Sequence, residues 1–166
     1  VYWLSNAESQ KQKWDRYAEI REEMGSPVGP GEDRCLVLNV HIGRTREEAM
    51  KRGKPGHDEF VKFLSPYGRF NSYRNPDGSK VPFDHQPTVE ESNREKLQII
   101  GSIDDAVDAI GFWRDLLDLK HICFFFDLPG VGTEEMNEQM HLMMEEVFPR
   151  LGEPIERRPI TGRPLV

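Results

Sequence analysis

An α/β fold with parallel strands is what this 166-residue sequence predicts, and three observations carry the prediction. Apolar runs rich in branched side chains at 35–43, 97–101 and 121–126 are each followed by a segment whose apolar residues recur at helical spacing. The runs are near-continuous instead of alternating, as in strands covered on both faces. Their order with the other segments (helix, strand, helix, insertion, strand, helix, strand, helix) is that of right-handed βα units on one sheet.

The first helix is expected over 9–24, where Trp14, Tyr17 and Ile20 or Met24 recur at spacings of three and four and Gly25 stands at the stop. A Pro/Gly loop leads into CLVLNVHIG, the first strand. Thr45 and Glu48 have the capping-box spacing, in which each side chain satisfies the other's free backbone N–H, so a helix starts there and runs toward Leu64. Gly53, Pro55 and Gly56 within KRGKPGHDEF predict a kink, or a break into two shorter helices. Residues 65–96 hold Pro, Gly, Asn and Asp at turn frequency with no sustained period, and read as a long irregular insertion.

The second strand is 97–101. Ser102 with Asp105 is again cap-like, and Ile103, Ala106, Val107, Ile110, Trp113 and Leu117 follow as one apolar stripe. After the third strand, Thr133 is the expected cap of a last helix that presents Met136, Met140, Met143, Val147 and Leu151 on one face and ends at Pro149. Residues 1–152 thus form one unit, and the proline-bearing tail 153–166 is expected to be extended.

Composition narrows the function classes. A net charge of -7 argues against a large footprint on a phosphate backbone, which needs clustered Lys and Arg, so nucleic acid is not an expected partner. Cys35 and Cys123 lie in apolar runs, where a thiol behaves as a small buried hydrophobe, and two such residues make no disulfide scaffold; a reducing, cytoplasmic setting is expected. The longest apolar run, 122–126, is far short of the roughly 20 residues a membrane span needs. The chain opens on Val1 and its first element is a helix, so it is expected to be part of a longer protein.

Chemistry is sought first where parallel α/β folds place it, at the carboxyl ends of strands. In LQIIGSIDDAVDAI, Gly101 lets a ligand approach closely and the N–H groups after Ser102 could hold a phosphate. Ser102 is equally a plain N-cap, and Asp104 and Asp105 repel an anion there. Asp127, after the third strand, reads as functional or as a turn residue, and His41, near the end of the first, reads as a site residue or a satisfied core histidine. His57, His85, His121 and His141 show no metal-ligand spacing. Neither G-x-G-x-x-G, nor a P-loop, nor G-x-S-x-G occurs. A receiver-like site of Asp104, Asp105 and Asp127 around Mg2+ would need a Lys after the third strand, and none is there.

Three segments, VLNVHIGRTREEAM, LQIIGSIDDAVDAIGFWRDLLDLKHICFFFDLPG and EQMHLMMEEVFPRLG, together resemble the C-terminal half of the luciferase-like flavin-dependent monooxygenases. In that family a strand ends before a T-R-E-E-A helix start, a later strand runs into GS or GSP before an acidic helix start, and the last helix closes on EEV-x-PRL. Order and spacing match from about Arg34 to Gly152.

The resemblance implies a partial TIM barrel of about three βα units, with a leading helix and 65–96 at a variable segment. It implies a parent oxidoreductase that uses reduced FMN, or the deazaflavin F420, and O2 on a small organic substrate. It places His41, Gly101, Ser102 and Asp127 on the cofactor face and names no catalytic residue or metal in this chain. The family's N-terminal half, with much of the flavin pocket and the catalytic His, has no counterpart here, so the chain alone is expected to bind no cofactor and to be inactive. Three parallel strands leave open edges, which implies a homo-oligomer or a complementary half-barrel. A non-catalytic α/β interaction or structural module derived from such a barrel is the alternative.

Overall fold

The run CLVLNVHIG forms β1, Cys35–Gly43, the middle strand of an open three-stranded parallel sheet in a computed structural model that describes residues 4–152. β2, Gln98–Ser102, pairs with the second half of β1 from Asn39 to Gly43; β3, His121–Phe125, pairs with the first half from Cys35 to Asn39. The outer strands are thus staggered and share only Asn39 as a common level. Helices α1 (Ala7–Glu23), α2 (Arg46–Leu64), α3 (Val89–Arg94), α4 (Ile103–Leu117) and α5 (Thr133–Leu142) alternate with them. This is the mixed α/β class with parallel strands that the sequence predicts, here in an open three-stranded sheet. The strand order, β2-β1-β3, places the first strand centrally. The expected extended tail lies outside the described residues.

Alternation along β1 sorts the core. Leu36, Leu38, Val40 and Ile42 join one cluster with Trp14 of α1, Ala106, Ile110 and Trp113 of α4, and Leu142 at the end of α5. His41 turns the other way toward α2, and its register partner Ile100 packs with Val89 of α3 and Met50 of α2. Among the described residues, no helix is long and apolar enough to cross a membrane.

Several expectations are corrected. α2 is one continuous helix of 19 residues with Pro55 inside it. Its glycines are contact points: a Cβ on Gly53 would stand 2.7 Å from His41 Cδ2, and one on Gly56 would stand 2.7 Å from the Pro129 carbonyl oxygen. The segment 65–96 is only partly irregular, since it holds a 3-10 turn at Ser65–Tyr67, an antiparallel bridge between Arg74 and Lys80, and α3 behind a complete Thr88/Glu91 capping box. Phe70 and Tyr73 within it are fully buried.

The last helix starts after Gly132 with no side-chain cap, and passes through a π-type turn at Met143–Val147 into a 3-10 turn at Phe148–Leu151. Gln139, Leu142, Met143 and Val147 face inward, while Met140, expected on the buried face, is exposed. Neither cysteine is a buried hydrophobe: Cys35, the first residue of β1, is half-buried, and Cys123 is exposed because β3 is an edge strand on which His121, Cys123 and Phe125 face outward. In α1 the seam is narrow, with Trp14 buried and Ile20 and Met24 exposed.

Where a neighbouring strand is missing, side-chain amides take its place. Gln139 of α5 accepts the Ile42 N–H at 2.5 Å and donates to the Ile42 carbonyl at 2.7 Å, beyond the point where β3 leaves β1. Asn93 of α3 accepts the Ile100 N–H at 2.9 Å and donates to its carbonyl at 2.8 Å, on the outer edge of β2. A buried backbone group without a partner costs about as much as a lost hydrogen bond, so these two amides let the sheet stop where it does.

Candidate functional site

The carboxyl ends of β1 and β2 lie side by side, with Ile42 opposite Gly101 and Gly43 opposite Ser102. Gly101 and Ser102 are therefore brought beside the end of β1. His41 is one step further in and fully buried. Asp127 follows β3 on the opposite flank of β1 and is exposed. No hydrogen bond joins it to the other three among the described residues.

At Gly101 and Ser102 the structure shows a filled cap. The Asp105 carboxylate accepts the Ser102 N–H at 2.8 Å and the Ser102 hydroxyl at 2.9 Å, while Ser102 Oγ accepts the Asp105 N–H. Arg46, from the start of α2, grips the same carboxylate with Nη2 at 2.5 Å and Nε at 3.2 Å. Burial pushes the Asp105 carboxyl up, and the Arg46 guanidinium with the Ser102 donors more than offsets this, holding it below its ordinary range. A Cβ on Gly101 would meet Asp105 Oδ2 at 2.4 Å, so the space that glycine leaves is taken by the chain's own anion. As they stand, these residues do not fit a flavin phosphate.

His41 belongs to a charged cluster at the same rim. Its Nε2 lies 3.3 Å from Glu135 Oε1, an oxygen that also accepts from Arg52 Nε at 2.9 Å. Arg52 reaches Glu138 at 2.8 Å and Glu48 at 3.7 Å, so one guanidinium serves three carboxylates beside an imidazole. Burial pulls the imidazole below its ordinary value more strongly than Glu135 raises it, which keeps His41 neutral near pH 7.

A second buried cluster has no signature in the sequence. His57 of α2 has Nε2 at 3.0 Å from Ser92 Oγ and Nδ1 at 3.2 Å from Asp58 Oδ1, and the Tyr73 hydroxyl donates to Ser92 Oγ at 3.3 Å. The connectivity is that of a Ser-His-Asp triad. Ser92, His57 and Tyr73 are all fully buried, so no substrate reaches the hydroxyl and the cluster is a structural tie. Ser92 stands 35 residues from His57, too far for a spacing rule, although Thr88 and Glu91 carry the capping-box pattern that locates α3.

Two concave regions flank the sheet. A cleft of about 340 Å³ on the β2 side is lined by Arg46, Lys96, Asp105 and Asp108, whose charges pair with one another. A groove of about 470 Å³ lies against Ile110, Ile122, Phe124 and Phe148. Among the described residues, no group of three or more His, Cys, Asp or Glu is placed to hold a metal ion.

No protein-family model matches this sequence, and no curated protein matches it. Among solved structures, that of monooxygenase RslO1 from Streptomyces bottropensis is similar, with a TM-score of 0.65 over 87% of this chain. The fold is monooxygenase-like. At 17% identity the likeness is one of fold alone, and the chain spans 38% of the length of that monooxygenase. The parallel sheet itself places the filled cap at Ser102 and the His41–Glu135 cluster by the carboxyl ends of β1 and β2.

Proposed function

We propose that this chain is the C-terminal part of a flavin-dependent monooxygenase of the luciferase-like kind, which oxidises a small organic substrate with O2 and reduced FMN or F420. The observation that carries this reading is the structural match to a monooxygenase over 87% of this chain but 38% of the other. The strand-to-helix junctions at Gly43 and Gly101, quoted above for the resemblance, agree with it. With Asp105 in the place a phosphate would need, the flavin is held by residues outside this chain, and no step of the reaction is assigned to His41, Gly101, Ser102 or Asp127.

The test compares the chain alone with the product of its coding sequence extended upstream by about half a barrel. Only the extended protein is expected to quench FMN or F420 fluorescence and to consume O2 when supplied with reduced flavin. Stoichiometric quenching by the chain alone would show that it is complete in itself. An extended protein that binds neither flavin would remove the monooxygenase reading.

The occupied Ser102 amide favours a second reading, a non-catalytic α/β module derived from such a barrel. A start codon just before Val1 would support it.

A further inference from the structure

We propose that the outer edge of β3 is the docking surface for a second copy of this chain, whose own β3 adds antiparallel about a two-fold axis through Cys123. The pairing needs neither functional reading. The two edges of the sheet are finished differently. Asn93 and Asp105 occupy backbone groups on the outer side of β2, whereas among the described residues no side chain does so along 121–124 and no further strand follows. HICFF has no Pro, Lys or Arg to blunt an edge, and its pairing with β1 runs through five consecutive residues without a bulge.

This edge is complementary to itself. Residues directly opposite in an antiparallel pair share a face, and only an axis through Cys123 opposes all five residues of one copy to all five of the other. His121 then meets Phe125 of the second copy, Ile122 meets Phe124, and Cys123 meets Cys123. Ile122 and Phe124 line the groove of about 470 Å³ together with Ile110 and Phe148, so the two grooves join across the axis and each Ile122 packs on the other copy's Phe124. Charge sets the direction. Lys120, just before β3, and Asp127, two residues after it, are exposed, and neither pairs with another group among the described residues. Asp118, near the Lys120 end, lies instead against the loop at Gly31, where a Cβ would stand 3.4 Å from its own. An antiparallel pair sets Lys120 of each copy beside Asp127 of the other, whereas a parallel pair would set like charges together.

Light scattering and thiol oxidation of the whole chain at high micromolar concentration test this. A dimer is expected, and mild oxidation should link Cys123 to Cys123, because opposed Cα atoms lie about 4.5–5.5 Å apart, within disulfide reach. Cys35→Ser should keep the link and Cys123→Ser should lose it. The register is read in Cys35→Ser, Cys123→Ser chains: His121→Cys mixed with Phe125→Cys should give the mixed disulfide in large excess over either self-link. Lys120→Asp or Asp127→Lys alone should weaken association about tenfold, and the two together should restore it. A monomer, a dimer of the unaltered chain that does not link through Cys123, an excess of self-links, or association indifferent to the charge reversals would each overturn the proposal. The first two readings use the unaltered chain, so they stand even where a variant fails to fold.

Discussion

Gly53 has no room for a side chain, because the atoms a Cβ would meet belong to the rigid His41 ring at 2.7 and 2.9 Å. Gly53→Ala is therefore expected to lower stability by about 1–3 kcal/mol, the usual range for overpacking. Gly111, inside α4, has only Leu151 Cδ2 near its missing Cβ, at 4.0 Å, so Gly111→Ala should instead raise stability by about 0.5–1 kcal/mol through helix propensity. Urea midpoints of the two variants with opposite signs are the check; equal signs would remove the packing argument. The buried histidines give a second expectation. Burial holds His41 and His57 below their ordinary values, so the unfolded chain takes up protons below about pH 6.5 while the folded chain does not. Their contribution is fully present above that pH and is lost as pH falls. The urea midpoint should be lower at about pH 5 than at about pH 7.5, and His41→Gln combined with His57→Gln should flatten the difference.

Helices stand in for strands at two points, and their loss should differ in size. Gln139 is fully buried, so Gln139→Ala leaves the Ile42 N–H and carbonyl without partners or water and is expected to cost about 2–4 kcal/mol. Asn93 is half-buried, and Asn93→Ala should cost less, about 1–2 kcal/mol, since water reaches Ile100 once the amide is gone. Chemical unfolding of the pair, with the order reversed, would show that burial does not set the scale. Neither role was legible in the sequence. Branched apolar runs announce strands, and Ser102 with Asp105 announces a helix start, because those signals are local. A Gln that pairs with a strand 97 residues away has no periodicity to betray it. The glycines of α2 were legible only as breakers, because sequence shows what glycine permits and not what stands 2.7 Å from it. The candidate site divides the same way: the cap at Ser102 is readable, whereas Arg46 reaching over to grip the Asp105 carboxylate depends on how α2 is placed against α4.

For the whole molecule, alternation of strands and helices predicts the α/β class, and strand order does not follow from it: the chain sets β2 on one side of β1 and β3 on the other. The two outer strands end differently. The β2 edge is closed by Asn93 and Asp105, while on β3 His121 and Cys123 face solvent and no further strand is present among the described residues. On the reading of this chain as part of a barrel, the sheet grows from β3, and the isolated chain should self-associate on that side at high micromolar concentration. Light scattering is the check, and a clean monomer would count against the barrel reading. Because the segment 65–96 carries the amide that closes β2, its length is not free to be trimmed. A shortened loop joining α2 directly to β2 would spare every residue of the sheet and still leave a five-residue strand with bare amides on its outer side. Such a variant would offer that edge to a second chain, so the segment 65–96 guards the outer side of β2.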